Sequence, residues 1–376
     1  MDVEIGDLPV WKGVQNKPGY EKKRFTLSIN KGLIRLKLLN DEISEISKRY
    51  SNENYNFITS PPGSSEWGSR LGNFYFKILS DWIGNISGKT ILEIGSGTLY
   101  IAQRTINELN AGQFIACDPV LDDNTISKKI IISKNYFSYE LFENKCQNVD
   151  LIISINNLEH IPDVTQYLND VHQLLTPGTG RFFVVVPDCV RGLKTGDLGI
   201  CVHEHMTYFT AETLISTFAS SGFSIEKIVS LEDTLFVLAK PVKNQTNIYD
   251  SDHQLTDLIQ SYRHLVTSNI RYFENLLHDS RGPMALHGCC VGLNNSLGLL
   301  DICDDPDIFL FDGDVEKKGK FLPVYNQPIY SSDDITYRKM KTVIIAASTY
   351  FEEIKQNIEL SHNIHPSSIY PIIPVT

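Results

Sequence analysis

The run Thr90-Ile-Leu-Glu-Ile-Gly-Ser-Gly-Thr98 constrains this chain more than any other. Ile91, Leu92 and Ile94 suit a buried parallel strand, where both faces are covered and apolar residues run on without alternation. Gly95 and Gly97 follow, and their missing Cβ permits backbone angles and a close ligand approach that other residues block. Roughly twenty residues further on, Asp118 closes a second apolar run, Gln113-Phe-Ile-Ala-Cys117. A strand, a glycine turn and an acid at this offset describe a nucleotide-cofactor loop, with the acid placed to hold both ribose hydroxyls.

Two cofactor classes compete for such a loop. A dinucleotide fingerprint, G-x-G-x-x-G, needs its third glycine so that a helix can carry a pyrophosphate on its N-terminus. Here Gly95-Ser-Gly-Thr-Leu-Tyr100 puts Tyr at that position. Glu93 beside the loop repels phosphate but suits the amine or methionine end of a sulfonium cofactor. The loop resembles the first motif, E-x-G-x-G, of class I S-adenosylmethionine-dependent methyltransferases, with Leu99 where a third glycine is common. On that reading Glu93, Gly95, Ser96, Gly97 and Thr98 hold the methionine end of S-adenosyl-L-methionine, and Asp118 holds the ribose. The plain alternative for an isolated Gly-x-Gly is a strand-to-helix turn without a ligand.

Downstream, Val149-Asp-Leu-Ile-Ile-Ser-Ile-Asn156 predicts another buried strand, followed by Asn157-Leu-Glu-His-Ile-Pro-Asp163 and an amphipathic stretch through Leu175. Pro177-Gly178 breaks that helix, and Arg181-Phe-Phe-Val-Val-Val-Pro187 predicts a further strand. Strand, loop, helix, turn and strand in this order predict an α/β, doubly wound, Rossmann-like sheet. Ligands of such sheets sit beyond the carboxyl ends of the strands, which makes Asn156, Asn157, Glu159 and His160 site candidates, the two asparagines on the cofactor side. The block also resembles the methyltransferase pattern D-x-I-x-x-x-x-x-L-E-H-I-x-D, so the match extends from Lys89 to Pro187. Within it, Tyr136 or Phe137 can line the adenine slot or belong to the core.

A chain of 376 residues predicts two or three domains. The divisions read from the sequence are an N-terminal cap or lid over 1–65, the cofactor-binding domain over 66–242 and a second, smaller Rossmann-like α/β domain over 243–376. Leu33 to Ile46 shows helical spacing, Ser51 to Asn56 is a polar loop in which Tyr55 and neighbouring Phe57 can reach over a cleft, and Pro61-Pro62-Gly63 is a turn. Trp67 to Ile83 carries Trp67, Leu71, Tyr75, Ile78 and Trp82 at steps of three or four, the spacing of core residues. A net charge of −11 argues against a nucleic-acid groove. The chain shows no apolar run near eighteen residues and no signal-peptide order at its start, so neither a membrane span nor export is expected and the cytoplasm is the expected location. The 7 cysteines include no C-x-x-C pair, which predicts reduced and mostly buried thiols.

The segment Cys201-Val-His-Glu-His-Met-Thr-Tyr-Phe-Thr210 packs two histidines and a glutamate into three positions before a helix that Thr210 caps and Gly222 ends. No further Cys or His pair lies in sequence reach of His203 and His205, so no metal is expected. Acid–base chemistry fits better: His titrates near neutrality, and a neighbouring Glu can orient it. A histidine pair that only braces a loop is the alternative.

Taken with Asn156 to Asp163, H-E-H-x-x-Y-F-T before a helix ending at Gly222-Phe223 resembles the nucleotide-sugar C-methyltransferases, enzymes that methylate a ring carbon of a deoxysugar carried on a nucleoside diphosphate. The C-terminal third is similar too: Met284 to Gly292 reads as strand and glycine turn, Asp307 to Asp312 and Thr342 to Ala347 as strands, Lys317 to Pro323 as a loop. In that family this block closes over the acceptor, and the helix marked by Leu255, Ile259, Tyr262, Val266, Ile270, Phe273 and Leu277 is expected to pack against it. The resemblance makes Glu204 and His205 the catalytic acid–base pair, with Glu204 orienting His205, and sets His160 near the acceptor. Three departures stand out. Val202 and Phe57 replace two family tyrosines, and the family's N-terminal zinc-binding cysteines have no counterpart. The expected activity is therefore methyl transfer to a small-molecule acceptor, a nucleotide-linked sugar, at carbon or oxygen. Another hydroxylated metabolite, or cofactor binding without transfer, is the alternative. Arg191 and Lys194 can meet an acceptor phosphate or stand as solvated loop charges.

Overall fold

The computed structural model describes residues 2–50, 62–63, 65–121, 127–143, 146, 148–243, 252–362 and 368–374. Its strands form three sheets. The first begins with β1 (Asp2–Pro9), β2 (Lys22–Asn30) and β3 (Leu33–Leu36), paired antiparallel in that order. The helix expected from Leu33 starts only at Asn40, as α1 (Asn40–Tyr50). The reason lies in the turn before it. Lys31 and Gly32 have φ of 51° and 72°, which makes a two-residue hairpin turn that returns Leu33–Leu36 along β2. Tyr55 and Phe57 lie outside the described residues.

The second sheet is built from β4 (Thr90–Ile94), β5 (Gln113–Cys117), β6 (Ile130–Ser133), β7 (Leu151–Ile155) and β8 (Arg181–Pro187). Intervening helices are α2 (Glu66–Ile83) before β4, α3 (Tyr100–Glu108), α4 (Tyr139–Phe142), α5 (Val164–Leu174) and α6 (Val190–Thr195) after β8. Next come β9 (Thr207–Tyr208), α7 (Ala211–Ser220), β10 (Phe223–Leu231) and β11 (Thr234–Pro241). The strand order is β10-β11-β8-β7-β4-β5-β6, parallel from β8 to β6, with the β10–β11 hairpin added antiparallel on β8. One apolar layer packs α5 and α7 on one face, through Leu168, Val171, Leu214 and Phe218. The other packs α2 and α3 on the opposite face, where Tyr75 of the expected stripe is buried, Leu71, Ile78 and Trp82 pack half-buried against it, Trp67 lies outside, and Phe76 and Leu79 complete the buried face. At α7 the Thr210 side chain accepts from Thr213 N while the Thr213 hydroxyl accepts from Thr210 N, a reciprocal cap. The short strand β9 leaves this sheet and pairs with β3, Ile34 opposite Tyr208, to complete the first sheet.

The helix α8 (Asp252–Asp279) leads into β12 (Met284–His287), α9 (Val291–Leu299), β13 (Ile308–Asp312), β14 (Ile329–Ser331), β15 (Thr342–Ile345), α10 (Phe351–His362) and β16 (Ile369–Pro371). These five strands form a parallel sheet in the order β14-β13-β12-β15-β16. The α/β architecture with a second, smaller Rossmann-like unit is thus present. The packing of α8 differs from expectation. Only its end, at Phe273 and Leu277, joins the core of this last sheet. Leu255, Ile259, Tyr262 and Val266 pack instead with Val3, Phe25 and Leu27 of the first sheet. A helix of 28 residues is about 42 Å long, more than one small unit can cover, so it bridges two. Five cysteines are buried, Cys290 is half-buried and Cys303 is exposed. No helix among the described residues is long and apolar enough to cross a membrane.

Candidate active site

At the end of β4 the chain turns through Gly95 and Gly97, with φ of 82° and 51°. A Cβ on Gly95 would stand 2.8 Å from the Asn157 Cβ, so this turn and the turn after β7 approach each other only because Gly95 has none. Leu99, which stands where a third glycine is common, adopts φ 62° and is buried. That left-handed conformation is strained for a side chain of its size, and burial of the leucine offsets the cost. Asn156 also has positive φ, 49°, at the end of β7, which an asparagine tolerates.

Asp118 ties the two loops together. Its Oδ2 accepts from Gly97 N at 2.9 Å and its Oδ1 from Val120 N at 3.0 Å. Burial pushes its carboxyl up. Glu93 is 2% exposed; its Oε2 has no hydrogen-bond partner, and burial raises its carboxyl well above the usual range. A buried acid with an open oxygen on a cavity wall is suited to a cationic amine, whose arrival would favour its ionised form. These residues fit the amino-acid end and the ribose of S-adenosylmethionine. Asn157 donates to Ser154 Oγ at 3.1 Å and to Tyr167 Oη at 3.4 Å, and so braces the turn.

All eight cofactor-side candidates line one cavity of about 1230 Å³, together with His160 and His205. Tyr136 and Phe137 line it too. Phe137 also belongs to the core, and Tyr136 donates to the Ser47 carbonyl of α1, the helix that covers this side. Val291 and Gly292 of α9 and Ser348 and Thr349 after β15 also line it. The volume exceeds the ~300–1,000 Å³ usual for one ligand, so the cavity has room for two.

The histidine cluster departs from the expected Glu204–His205 pair. Glu204 lies behind the wall, 2% exposed, and its Oε2 accepts from Tyr50 Oη at 2.9 Å while Oε1 lies 3.6 Å from Arg49 Nη1. Tyr50 Oη is also 2.9 Å from His160 Nδ1, which lies 2.9 Å from the Glu204 carbonyl oxygen. A carbonyl only accepts, so Nδ1 carries the proton and Nε2 holds the lone pair. Thus the Glu204 residue orients His160, not His205. The physical reason is that α1 inserts Tyr50 at the carboxylate, and the residue 204 carbonyl faces the His160 ring. His205 packs edge-to-face on His160, ring centres 4.9 Å apart. His203 points away, because residues 202–205 form a turn closed by His205 N on the Val202 carbonyl, and its Nε2 lies 3.3 Å from the Lys23 carbonyl with its ring against Phe25.

Burial lowers His160 to about 4 and His205 well below its ordinary value, with His160 adding to the shift of His205. Burial raises Glu159 to about 8. Glu159 Oε1 lies 3.9 Å from His160 Nε2, and its Oε2 is buried without a partner. The cluster therefore rests neutral: a protonated acid beside two unprotonated imidazoles. Glu159, His160 and His205 also bring one ligand atom each within 4.8 Å of one another, the residues that could hold a cation here.

Tyr50 and Arg49 carried no signal in the sequence, since they end a helix more than 100 residues before the groups they meet. Arg191 lines the cavity with its side chain 35% exposed. It is held by Asp233 at 2.7 Å and Asp197 at 3.0 Å, and by the Thr349 hydroxyl at 2.9 Å. Lys194 is exposed.

Residues 68–228 match the family model described as a methyltransferase domain. A curated relative, the C-methyltransferase NovU of Streptomyces niveus, is 27% identical over 215 residues, which is 53% of this chain and 51% of that protein. The chain thus spans about half the length of the curated relative it matches. Among solved structures, a Burkholderia thailandensis 1,6-didemethyltoxoflavin-N1-methyltransferase bound to 1,6-didemethyltoxoflavin and S-adenosylhomocysteine is 16% identical, covers 60% of this chain and 100% of its own, and has a TM-score of 0.40. A putative S-adenosylmethionine-dependent methyltransferase from Listeria monocytogenes is 16% identical over 46% of this chain and 100% of its own, with a TM-score of 0.36.

Proposed function

From the premise that residues 68–228 are a class I S-adenosylmethionine-dependent methyltransferase domain, we propose that the chain methylates a nucleotide-linked sugar, at carbon or oxygen. The observation that carries this reading is the shared cavity. The Gly95–Thr98 turn and Asp118 form one end, His160 and His205 stand at its wall, and residues of the C-terminal unit also line it, with space for a second, sizeable ligand. When bound, the sulfonium cofactor supplies an electrophilic methyl group. Glu93 and the Gly95–Thr98 turn hold its methionine end, and Asp118 its ribose.

The rest falls to the chain's own residues. Glu204 and Tyr50 keep the proton on His160 Nδ1, so Nε2 takes the acceptor's proton. His205 fixes the ring from its face and walls the acceptor side. Glu159, buried and protonated, returns a hydrogen bond to the acceptor oxygen as charge develops there. Tyr50 supplies a phenol near the place that Val202 leaves without one. From α1, Ile46, Ser47 and Tyr50 line the cavity on the side of the base.

Mass spectrometry of the full chain with S-adenosylmethionine and a panel of nucleoside-diphosphate keto-sugars tests the proposal. A gain of one methylene, mapped to a ring carbon or its oxygen, is the expected result. Cofactor binding without transfer to any sugar would sink the acceptor class and leave the cofactor assignment standing.

A further inference from the structure

The segment Thr195–Cys201 runs directly into His203, Glu204 and His205, and side chains from the C-terminal third grip it. Tyr262 Oη of α8 donates to Asp197 O at 3.0 Å. Asn269 Nδ2 donates to Thr195 O at 2.7 Å and Gly196 O at 3.0 Å, and the Ser348 hydroxyl donates to the Asp197 carboxylate. Asn295 of α9 lands nearest the histidines: its Nδ2 donates to Leu198 O at 3.1 Å and to Cys201 O at 2.9 Å.

The environment of Asn295 is exacting. It is fully buried, and its Oδ1 has no partner. A flipped amide would set that oxygen against two carbonyl oxygens, so the orientation follows from the network. An apolar residue here would take away the donor that the Leu198 and Cys201 carbonyls share, so the amide is tied to the placement of this segment. Close packing supports the contact: a Cβ on Gly292, one turn earlier on α9, would stand 3.3 Å from Gly199 N. Beyond Cys201 there is little slack. Val202 N donates to Ile200 O at 3.0 Å, His205 N to Val202 O at 3.0 Å and Met206 N to Glu159 O at 2.8 Å.

We propose that Asn295 is a positioning residue: by holding the Leu198 and Cys201 carbonyls, the C-terminal unit sets where Glu204 and His205 stand against His160. The claim concerns the geometry of the histidine cluster and holds whatever the acceptor is. Its test uses the full-length protein with ¹⁵N-labelled histidine, the two imidazoles being assigned with His160→Gln and His205→Gln variants. In Asn295→Ala the imidazole resonances of His160 and His205 shift as the cluster loosens and the two rings lose their fixed packing. Asn269→Ala removes two hydrogen bonds from the far end of the same segment; it lowers the unfolding temperature and leaves both imidazoles where they are. Equal shifts in the two variants, or unmoved imidazoles in Asn295→Ala, overturn the proposal. Should Asn295→Ala fail to fold, Asn295→Ser keeps a small donor and gives a smaller shift of the same sign; no shift there is the overturning result. Calorimetry with S-adenosylmethionine on the same samples reports separately on the cofactor reading. Wild-type protein that does not bind it defeats that reading and leaves the imidazole result intact.

Discussion

The chain contains the same parallel topology twice. From the strand that precedes the glycine turn, the parallel order is β6-β5-β4-β7-β8 in one sheet and β14-β13-β12-β15-β16 in the other. Each has an acid at the end of its second strand that accepts from an amide of the turn after the first: Asp118 from Gly97 N at 2.9 Å, Asp312 from Cys289 N at 2.7 Å. The cradles then diverge. In the second, Lys317 Nζ lies 2.9 Å from Asp312 Oδ2 and 3.2 Å from the Cys289 carbonyl, which neutralises the acid and occupies the space a ribose would need. In the first, Asp118 faces an open cavity and Glu93 has a free oxygen, where the second has Leu286 at the matching distance before its glycine. Topology provides a crevice; a handful of side chains decides whether it takes a cofactor.

The largest effect that could break this contrast concerns turnover. His160→Ala removes the oriented base and is expected to lower methyl transfer by about 10²–10⁴-fold, while His287→Ala, in the second unit, leaves it within about twofold; rates with a transferred-methyl assay decide. A His160 variant of near wild-type rate would return the base to His205. Binding comes next. Asp118→Ala loses charged hydrogen bonds of about 1.5–3 kcal/mol, roughly 10–100-fold in affinity for S-adenosylmethionine by calorimetry, whereas Asp312→Ala leaves that affinity unchanged. Equal losses would mean that both cradles take the cofactor.

The smallest effect sharpens the contrast through pH. Burial holds His160 and His203 of the first unit and His287 of the second at about 4, against 6.5 for an ordinary histidine. These groups are neutral when folded and take up protons when unfolded, so the stability of both units falls as pH drops from 6.5 toward 4. Glu159 has the opposite sign. Its carboxyl is raised from 4.5 to about 8, so its contribution is complete below 4.5 and is lost as pH rises through 8. Thermal unfolding across this range is expected to show the alkaline loss in the first unit, flattened by Glu159→Gln. A variant that keeps the full alkaline slope would remove the neutral-acid role.

What the sequence made legible is local. β4, β5, β7 and β8 stand out as apolar runs, the turn at Gly95 as glycines, and α7 as a cap at Thr210 followed by a stop at Gly222. Each signal lies within a few residues of what it specifies. The partnerships that shape the histidine cluster do not: Tyr50 meets Glu204 across 154 residues, and nothing in either neighbourhood encodes the other. The same holds for β3. Its spacing reads as helix until Lys31 and Gly32 turn the chain back and Thr207–Tyr208 arrives to pair with it. Adjacency also misled. Glu204 stands beside His205 in sequence, yet its carbonyl and, through Tyr50, its carboxylate meet His160.

The two-residue strand β9 carries a consequence for how this protein comes into being. It hands Tyr208 and the residues just before it to a sheet made from the first forty residues, while Asn295 holds the other side of the same segment from far downstream. Loops that long close late, after local helices and the parallel sheet have formed. A fragment cut to 66–242 can therefore keep its sheet and its cofactor turn and still lack a reaction centre. Until its most distant parts have met, the growing chain has not brought the two sides of the histidine segment together.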